Sequence, residues 1–171
     1  MSDNKNQDPG LNDLSYMYPL ASVLTYRLSK LQARLNAQAA DLLRRYGAVP
    51  LAHWRVLMVL SSGLATTQKE IVAVAAFDKG QVSRIVDKLI EQELLVSDID
   101  IDDKRIRKLK LTASGKLMIA RLIPLMQQRQ EHLVGVFSET EKKQLFEFLD
   151  RLDEVSGLSL IHISEPTRRA L

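Results

Sequence analysis

The chain contains no cysteine, which removes disulfides, thiolate zinc sites and thiol-based redox sensing together. No apolar run reaches the roughly 18 residues that a membrane-spanning helix needs, and the N-terminus lacks a signal-peptide pattern. The expectation is a cytoplasmic protein with no membrane partner. Histidine is scarce, three in 171 residues, and none of His53, His132 and His162 stands at a metal-ligand spacing such as His-x-x-x-His. No glycine-rich phosphate loop follows a strand, and no histidine lies near Ser83 or Asp87 to act as a base. Enzymatic chemistry, a metal and a cofactor all go unsupported. Charge of one sign is also missing in bulk: the net charge is +3, and the cations from Lys79 to Lys110 are matched by the acids from Asp78 to Asp103. A polyanionic partner therefore has to be argued from where charge sits and not from its total. Hydrophobic residues make up 46%, an ordinary content for a folded chain long enough for one domain with its own core.

What is present concentrates between Thr66 and Thr112. Thr67 followed by Glu70 is a capping box, and Asp78 followed by Gln81 repeats the pattern, so two short helices are expected to start there. The second places Val82, Ile85, Val86, Leu89 and Ile90 on one stripe at helical spacing. Its outer arc is left to Lys79, Gly80, Gln81, Ser83, Arg84, Asp87 and Lys88, among them residue types that hydrogen-bond base edges and phosphates. Leu94, Leu95 and Val96 then open a strand-like run. Asp98, Asp100, Asp102 and Asp103 follow, then Lys104, Arg105 and Arg107, and the chain returns through Lys108-Leu109-Lys110-Leu111. That strict alternation predicts a half-buried strand with its lysines outward. The cations could enter a minor groove, or they could neutralise the hairpin's own acids; both readings stand. Two short helices and a charged hairpin are the parts of a winged helix-turn-helix, with Thr67 and Gln68 at the head of its first helix also facing DNA.

On either side the chain reads as helical. Residues 1–14 are polar and suggest a mobile arm. A long helix is expected from about Pro19 to Tyr46, stopped by Gly47, with Val23, Leu24, Leu28, Leu31, Leu35, Ala39 and Leu42 as its apolar positions. A second helix from Leu51 to Leu60 should lie in the core, with Trp54 as a packing anchor. Thr112 to Phe137 predicts another long helix, bent at Pro124. The capping box Ser138/Glu141 opens a last one through Leu145, Phe146, Phe148, Leu149 and Leu152. So small a centre cannot bury the full apolar surface of these long helices, and a second copy would. Residues 158–171 stand apart: Leu158 to Arg168 is the in-frame translation of a common transposon-based sequencing adapter, and the segment is set aside from functional reasoning.

Three stretches, in this order and spacing, resemble the MarR family (multiple antibiotic resistance regulators), bacterial winged-helix repressors that act as homodimers. They are His53-Trp54-Arg55-Val56-Leu57, Asp78-Lys79-Gly80-Gln81-Val82-Ser83-Arg84, and Asp103-Lys104-Arg105 through Leu111-Thr112. The likeness runs from about Pro19 to Ser156. It implies that Gln81, Ser83, Arg84 and Lys88 face a major groove and that Arg105 enters a minor groove. It also implies a pocket between the dimer helices and the reading head, where a small aromatic or anionic effector weakens DNA binding; Tyr26, His53, Arg55 and Met58 are candidates by position. The chain departs from the pattern twice. Ala75-Ala76-Phe77 occupies a turn that often carries glycine, and Ser97-Asp98-Ile99-Asp100 stands where the first wing strand usually carries arginine.

The expected fold is mainly α with a small β-hairpin wing: a winged helix-turn-helix core flanked by long dimerisation helices. Residues 15–157 would form this domain, with a DNA-reading core at about 50–112 and dimerisation helices at about 19–46 and 112–156. The expected partners are a pseudo-palindromic double-stranded operator, a second copy of the chain and a small effector. The expected function is a homodimeric transcriptional repressor released by that effector; the alternative is a winged-helix module that docks a protein through the Asp78 to Glu93 face.

Overall fold

A computed structural model describes residues 19–75, 77–99 and 107–157. Six helices and one hairpin follow in order: α1 (Leu24–Gly47), α2 (Leu51–Ser61), α3 (Gln68–Ala75), α4 (Lys79–Glu91), β1 (Leu95–Ile99), β2 (Arg107–Leu111), α5 (Ala113–Val134) and α6 (Glu139–Gly157). The chain divides into two compact units, Met1–Leu125 and Met126–Leu171. The arm at 1–14 and the tail at 158–171 lie outside the described residues.

In the first unit the core is built from α1, α2, α3, α4, the hairpin and the first half of α5. Leu43, Val56, Leu57, Ile71, Val82, Val86, Leu89, Leu95 and Leu122 are fully buried, and Trp54 joins them as the expected packing anchor. The α2 helix lies against α1, α3, α4 and β2, which explains why it is apolar over most of its surface. The strands pair antiparallel, with Leu95 opposite Leu111 and Ile99 opposite Arg107. Leu109 is buried between exposed Lys108 and Lys110, as the alternation predicts.

Several helix boundaries differ from expectation. The long helix does not begin at Pro19. A short 3-10 turn at Leu20–Ser22 comes first, and Val23 is extended at φ −79° and ψ 116°, so α1 starts at Leu24 without a side-chain cap. Its end also differs: Gly47 is still helical, and Ala48 takes the left-handed conformation at φ 50°. Gly47 is required for space, because a Cβ there would stand 2.7 Å from Leu122 Cδ1. Thr112 lies just outside α5 and caps it, its hydroxyl accepting from Gly115 N at 3.0 Å and donating to the Glu93 carbonyl at 2.7 Å.

In the second unit α5 ends at Val134 and not at Phe137. Gly135 N donates to the Glu131 carbonyl at 2.7 Å, and a Cβ on Gly135 would crowd that oxygen at 2.8 Å. The Ser138 cap of α6 forms as a reciprocal box: Glu141 accepts from Ser138 N at 2.8 Å, and Ser138 Oγ accepts from Glu141 N at 3.4 Å. Hydrogen bonds donated by the Ser138 amide, and then by the Ser138 hydroxyl, hold the Glu141 carboxyl below the usual range. No residue of α6 is buried, and Phe146, Phe148, Leu149 and Val155 are exposed.

Candidate nucleic-acid interface

Helix α4 is built to show one face. Asp78 caps it, accepting from Gln81 N at 2.8 Å. Val82, Ile85, Val86 and Leu89 are buried beneath; the fifth member of the expected stripe, Ile90, is 36% exposed. On the other side Lys79, Gly80, Arg84, Asp87 and Lys88 are exposed, and Gln81 and Ser83 are half-buried at the edge. All seven outer-arc residues therefore share one accessible surface.

Two of its cations are engaged. Arg84 Nε donates to the Gly80 carbonyl at 3.2 Å, one turn back on the same helix. That occupies one of the guanidinium's five donors. Lys88 Nζ lies 2.7 Å from Glu91 Oε2, and this bond holds its ammonium pKa above the ordinary lysine value. Both partners are well exposed, so the pair is solvent-screened and exchangeable for a phosphate.

At the head of α3, Thr67 and Gln68 are half-buried, and Thr67 Oγ1 accepts from Glu70 N at 3.2 Å. In the hairpin, Arg107 opens β2 and is exposed. Lys110 Nζ pairs diagonally across the ladder with Asp98 Oδ2 at 2.9 Å, so the hairpin's acids do neutralise at least one of its cations. Lys104 and Arg105 lie outside the described residues.

The four effector candidates are not drawn together in the same way. Arg55 Nη2 donates to Asn36 Oδ1 at 2.7 Å, and Gln32 Nε2 donates to the same oxygen at 2.8 Å. Asn36 is a residue that sequence reading missed; only its i,i+4 relation to Gln32 hinted at a pair. His53 has a buried Nδ1 without a hydrogen-bond partner, and burial pushes its imidazole pKa down. Met58 is half-buried on the same helix. Tyr26 instead lines an open groove of about 630 Å³ along the first half of α1 with Leu24, Leu28, Leu31 and Arg34, to which α2 contributes nothing.

The profile of the MarR family matches residues 49–106, which is the segment just described from α2 to the hairpin. The chain is similar to an HTH-type transcriptional regulator, BilQ, of Clostridium symbiosum, at 30% identity over 94 residues; the match covers 55% of this chain and 65% of that relative. The crystal structure of a MarR/EmrR family transcriptional regulator from Acinetobacter sp. ADP1 superposes with a TM-score of 0.73 at 25% identity, covering 85% of this chain and 99% of that one. Over residues 49–106 the chain is similar to the MarR family. Both of these similar proteins are transcriptional regulators. A further structure of the same fold, the transcriptional repressor CouR bound to a 23-mer DNA duplex, superposes at 0.71 with 22% identity over 80% of this chain and 96% of that one. Less than two thirds of the BilQ length is matched, since the alignment spans 65% of it. Among the described residues no helix is long and apolar enough to cross a membrane.

Proposed function

We propose that this protein is a cytoplasmic, homodimeric repressor that binds a pseudo-palindromic operator and is released by a small effector. The observation that carries the proposal is the outer face of α4, capped by Asp78 and seated on four buried apolar residues, so that Gln81, Ser83, Arg84 and Lys88 project together. A rigid, shallow helix of this kind fits a major groove. Thr67, Gln68, Lys79 and Gly80 would meet the flanking phosphates, and Lys104, Arg105 and Arg107 the neighbouring minor groove. The likeness to a repressor solved on DNA supports this reading. Exposed apolar side chains support the dimer: Leu24, Leu28 and Leu31 on α1, and Phe146, Leu149 and Val155 on α6. A twofold dimer presents its reading helices roughly 34–36 Å apart, one turn of DNA. For the effector, the support is the half-buried Arg55 and His53 on α2. An effector that binds better to a dimer with misspaced reading helices would shift the population away from DNA.

Selection of bound duplexes from a random pool, at two salt concentrations, tests the proposal. A palindrome with half-sites one turn apart is the expected result. A folded, dimeric protein that enriches nothing at low salt overturns it and favours protein docking through the same face.

Two substitutions refine the interface. Arg84→Ala is expected to cost about 1–3 kcal/mol of operator binding and to relax preference at one base pair; unchanged affinity and an unchanged motif would remove Arg84 from base reading. Asp98→Asn works in the opposite direction. It frees Lys110, so affinity at low salt should rise roughly two- to fivefold, the scale of an exposed pair. The slope of log affinity against log salt should steepen by up to about 0.9, one more phosphate engaged. Titration of both proteins at several salt concentrations reads both effects, and identical slopes and affinities would place Lys110 away from DNA.

A further inference from the structure

We infer that Glu70 is a positioning residue for the hairpin: its carboxylate fixes Thr66, and Thr66 in turn holds the middle of β2. Three donors converge on Glu70 Oε2, the Thr66 amide at 2.7 Å, the Thr66 hydroxyl at 3.1 Å and the Thr67 amide at 3.0 Å. Only the last of these, with the return bond from Glu70 N to Thr67 Oγ1, belongs to an ordinary capping box. The two bonds to Thr66 reach one residue further back and do nothing for the orphan amides of α3. Their consequence lies on the other side of Thr66, whose carbonyl accepts from Leu109 N at 2.7 Å.

Leu109 is the central residue of β2, buried, and stands opposite Ser97. Alternate residues of an antiparallel strand turn their amides toward the partner strand. Since the Leu109 amide is directed to Thr66, those of Lys108 and Lys110 are directed to β1. The second strand is therefore gripped along both edges, by β1 on one and by Thr66 on the other, and Glu70 fixes the second grip. An ionised acceptor makes stronger hydrogen bonds than a neutral one. The same bonds, led by the Thr66 amide, hold the Glu70 carboxyl below the usual carboxylate range. Because the folded-state pKa is depressed, the stabilisation is present above the unfolded value and is lost as pH falls through the folded one. The grip thus stays charged at neutral pH. Helix α3 packs on α4, so this chain of bonds ties the reading helices to the hairpin by a route separate from the apolar core. Its importance for operator binding rests on the function proposed above; the link itself does not.

Residue-resolved amide hydrogen exchange on the full chain without DNA tests the assignment in Glu70→Ala, Glu70→Gln and Thr67→Ala. In Glu70→Ala the Leu109 amide should exchange about tenfold faster, the scale of one lost hydrogen bond, while Lys108 and Lys110 keep their protection. Glu70→Gln keeps an oxygen acceptor and should restore most of the Leu109 protection. Thr67→Ala removes the α3 cap acceptor but leaves the bonds to Thr66, so Leu109 should stay protected. Unchanged Leu109 exchange in Glu70→Ala overturns the assignment. So does an equal acceleration of Leu109, Lys108 and Lys110, which would make Glu70 a general support of the unit, or an equal effect of Thr67→Ala, which would assign the result to the cap. Operator titration of Glu70→Ala is read separately. If the wild-type protein binds no duplex while the exchange pattern holds, the function falls and the positioning role stands.

Discussion

Gly115→Ala should be among the most destabilising single-methyl changes in this protein, costing about 3 kcal/mol or more, at or above the usual range for overpacking. A Cβ at Gly115 would come under 3.0 Å from the Leu94 carbonyl oxygen and 3.3 Å from Leu111 Cδ2. The first obstacle is backbone, so no flexible side chain can swing aside. The start of α5 would have to retreat from the end of α4. That retreat strains the bond from Thr112 N to the Leu94 carbonyl at 3.1 Å and the one from Thr112 Oγ1 to the Glu93 carbonyl at 2.7 Å. Glu93 already sits at φ 57°, a left-handed conformation that a non-glycine residue tolerates only with support. Thermal unfolding at matched chain concentration should show a Tm lowered by roughly 6–12 °C, taking 2–4 °C per kcal/mol for a chain of this size. Gly157→Ala is the control, since nothing stands within 4 Å of a Cβ there, and its effect should stay within about 0.5 kcal/mol. Equal melting of the two variants would mean that α5 does not begin against Leu94.

The second large effect is expected beneath the outer face of α4. Leu89 is fully buried on α4, between exposed Lys88 and the edge residue Ile90. Leu89→Ala removes the packing of its side chain and leaves a cavity that its neighbours cannot freely close, because α2 packs on α3 and β2 as well as on α4. The expected cost is about 2–5 kcal/mol, read from urea unfolding as a lower midpoint with an unchanged slope. Leu117→Ala makes the comparison at the same chemistry. Leu117 is 73% exposed on α5, and its truncation should cost less than about 0.5 kcal/mol in the unfolding of the chain. A Leu89→Ala variant as stable as Leu117→Ala would contradict the seating of α4 on the core.

The parts of this protein that could be read without coordinates are those whose physics is local. Thr67/Glu70 and Ser138/Glu141 form the reciprocal bonds their spacing predicts, and Asp78 caps α4 as expected. The 3.6-residue stripe of α4 and the two-residue alternation of β2 fixed which side chains face inward, with Ile90 as the one displaced member. Local rules failed at helix ends. Proline at position 19 and glycine at position 47 read as ordinary start and stop signals, yet Val23 interrupts the first and Leu122 explains the second. Among the effector candidates, chosen by position along the chain, Tyr26 lines an α1 groove and Arg55 bonds Asn36, a contact between helices that sequence spacing does not give.

From sequence alone came the helical character, the capped α4 with exposed Arg84 and Lys88 and half-buried Gln81 and Ser83, the hairpin after it and the absence of cysteine chemistry. Each follows from residues within a few positions of one another, where backbone geometry leaves few choices. Tertiary structure decided the rest: Gly115 against the Leu94 carbonyl, Gly47 against Leu122, Arg55 on Asn36, Lys110 on Asp98, and Thr66 between Glu70 and Leu109. Apart from the Thr66–Glu70 bond these join positions a dozen or more residues apart, and which of many chemically equivalent partners meet is set by the packing of whole elements, not by any local preference.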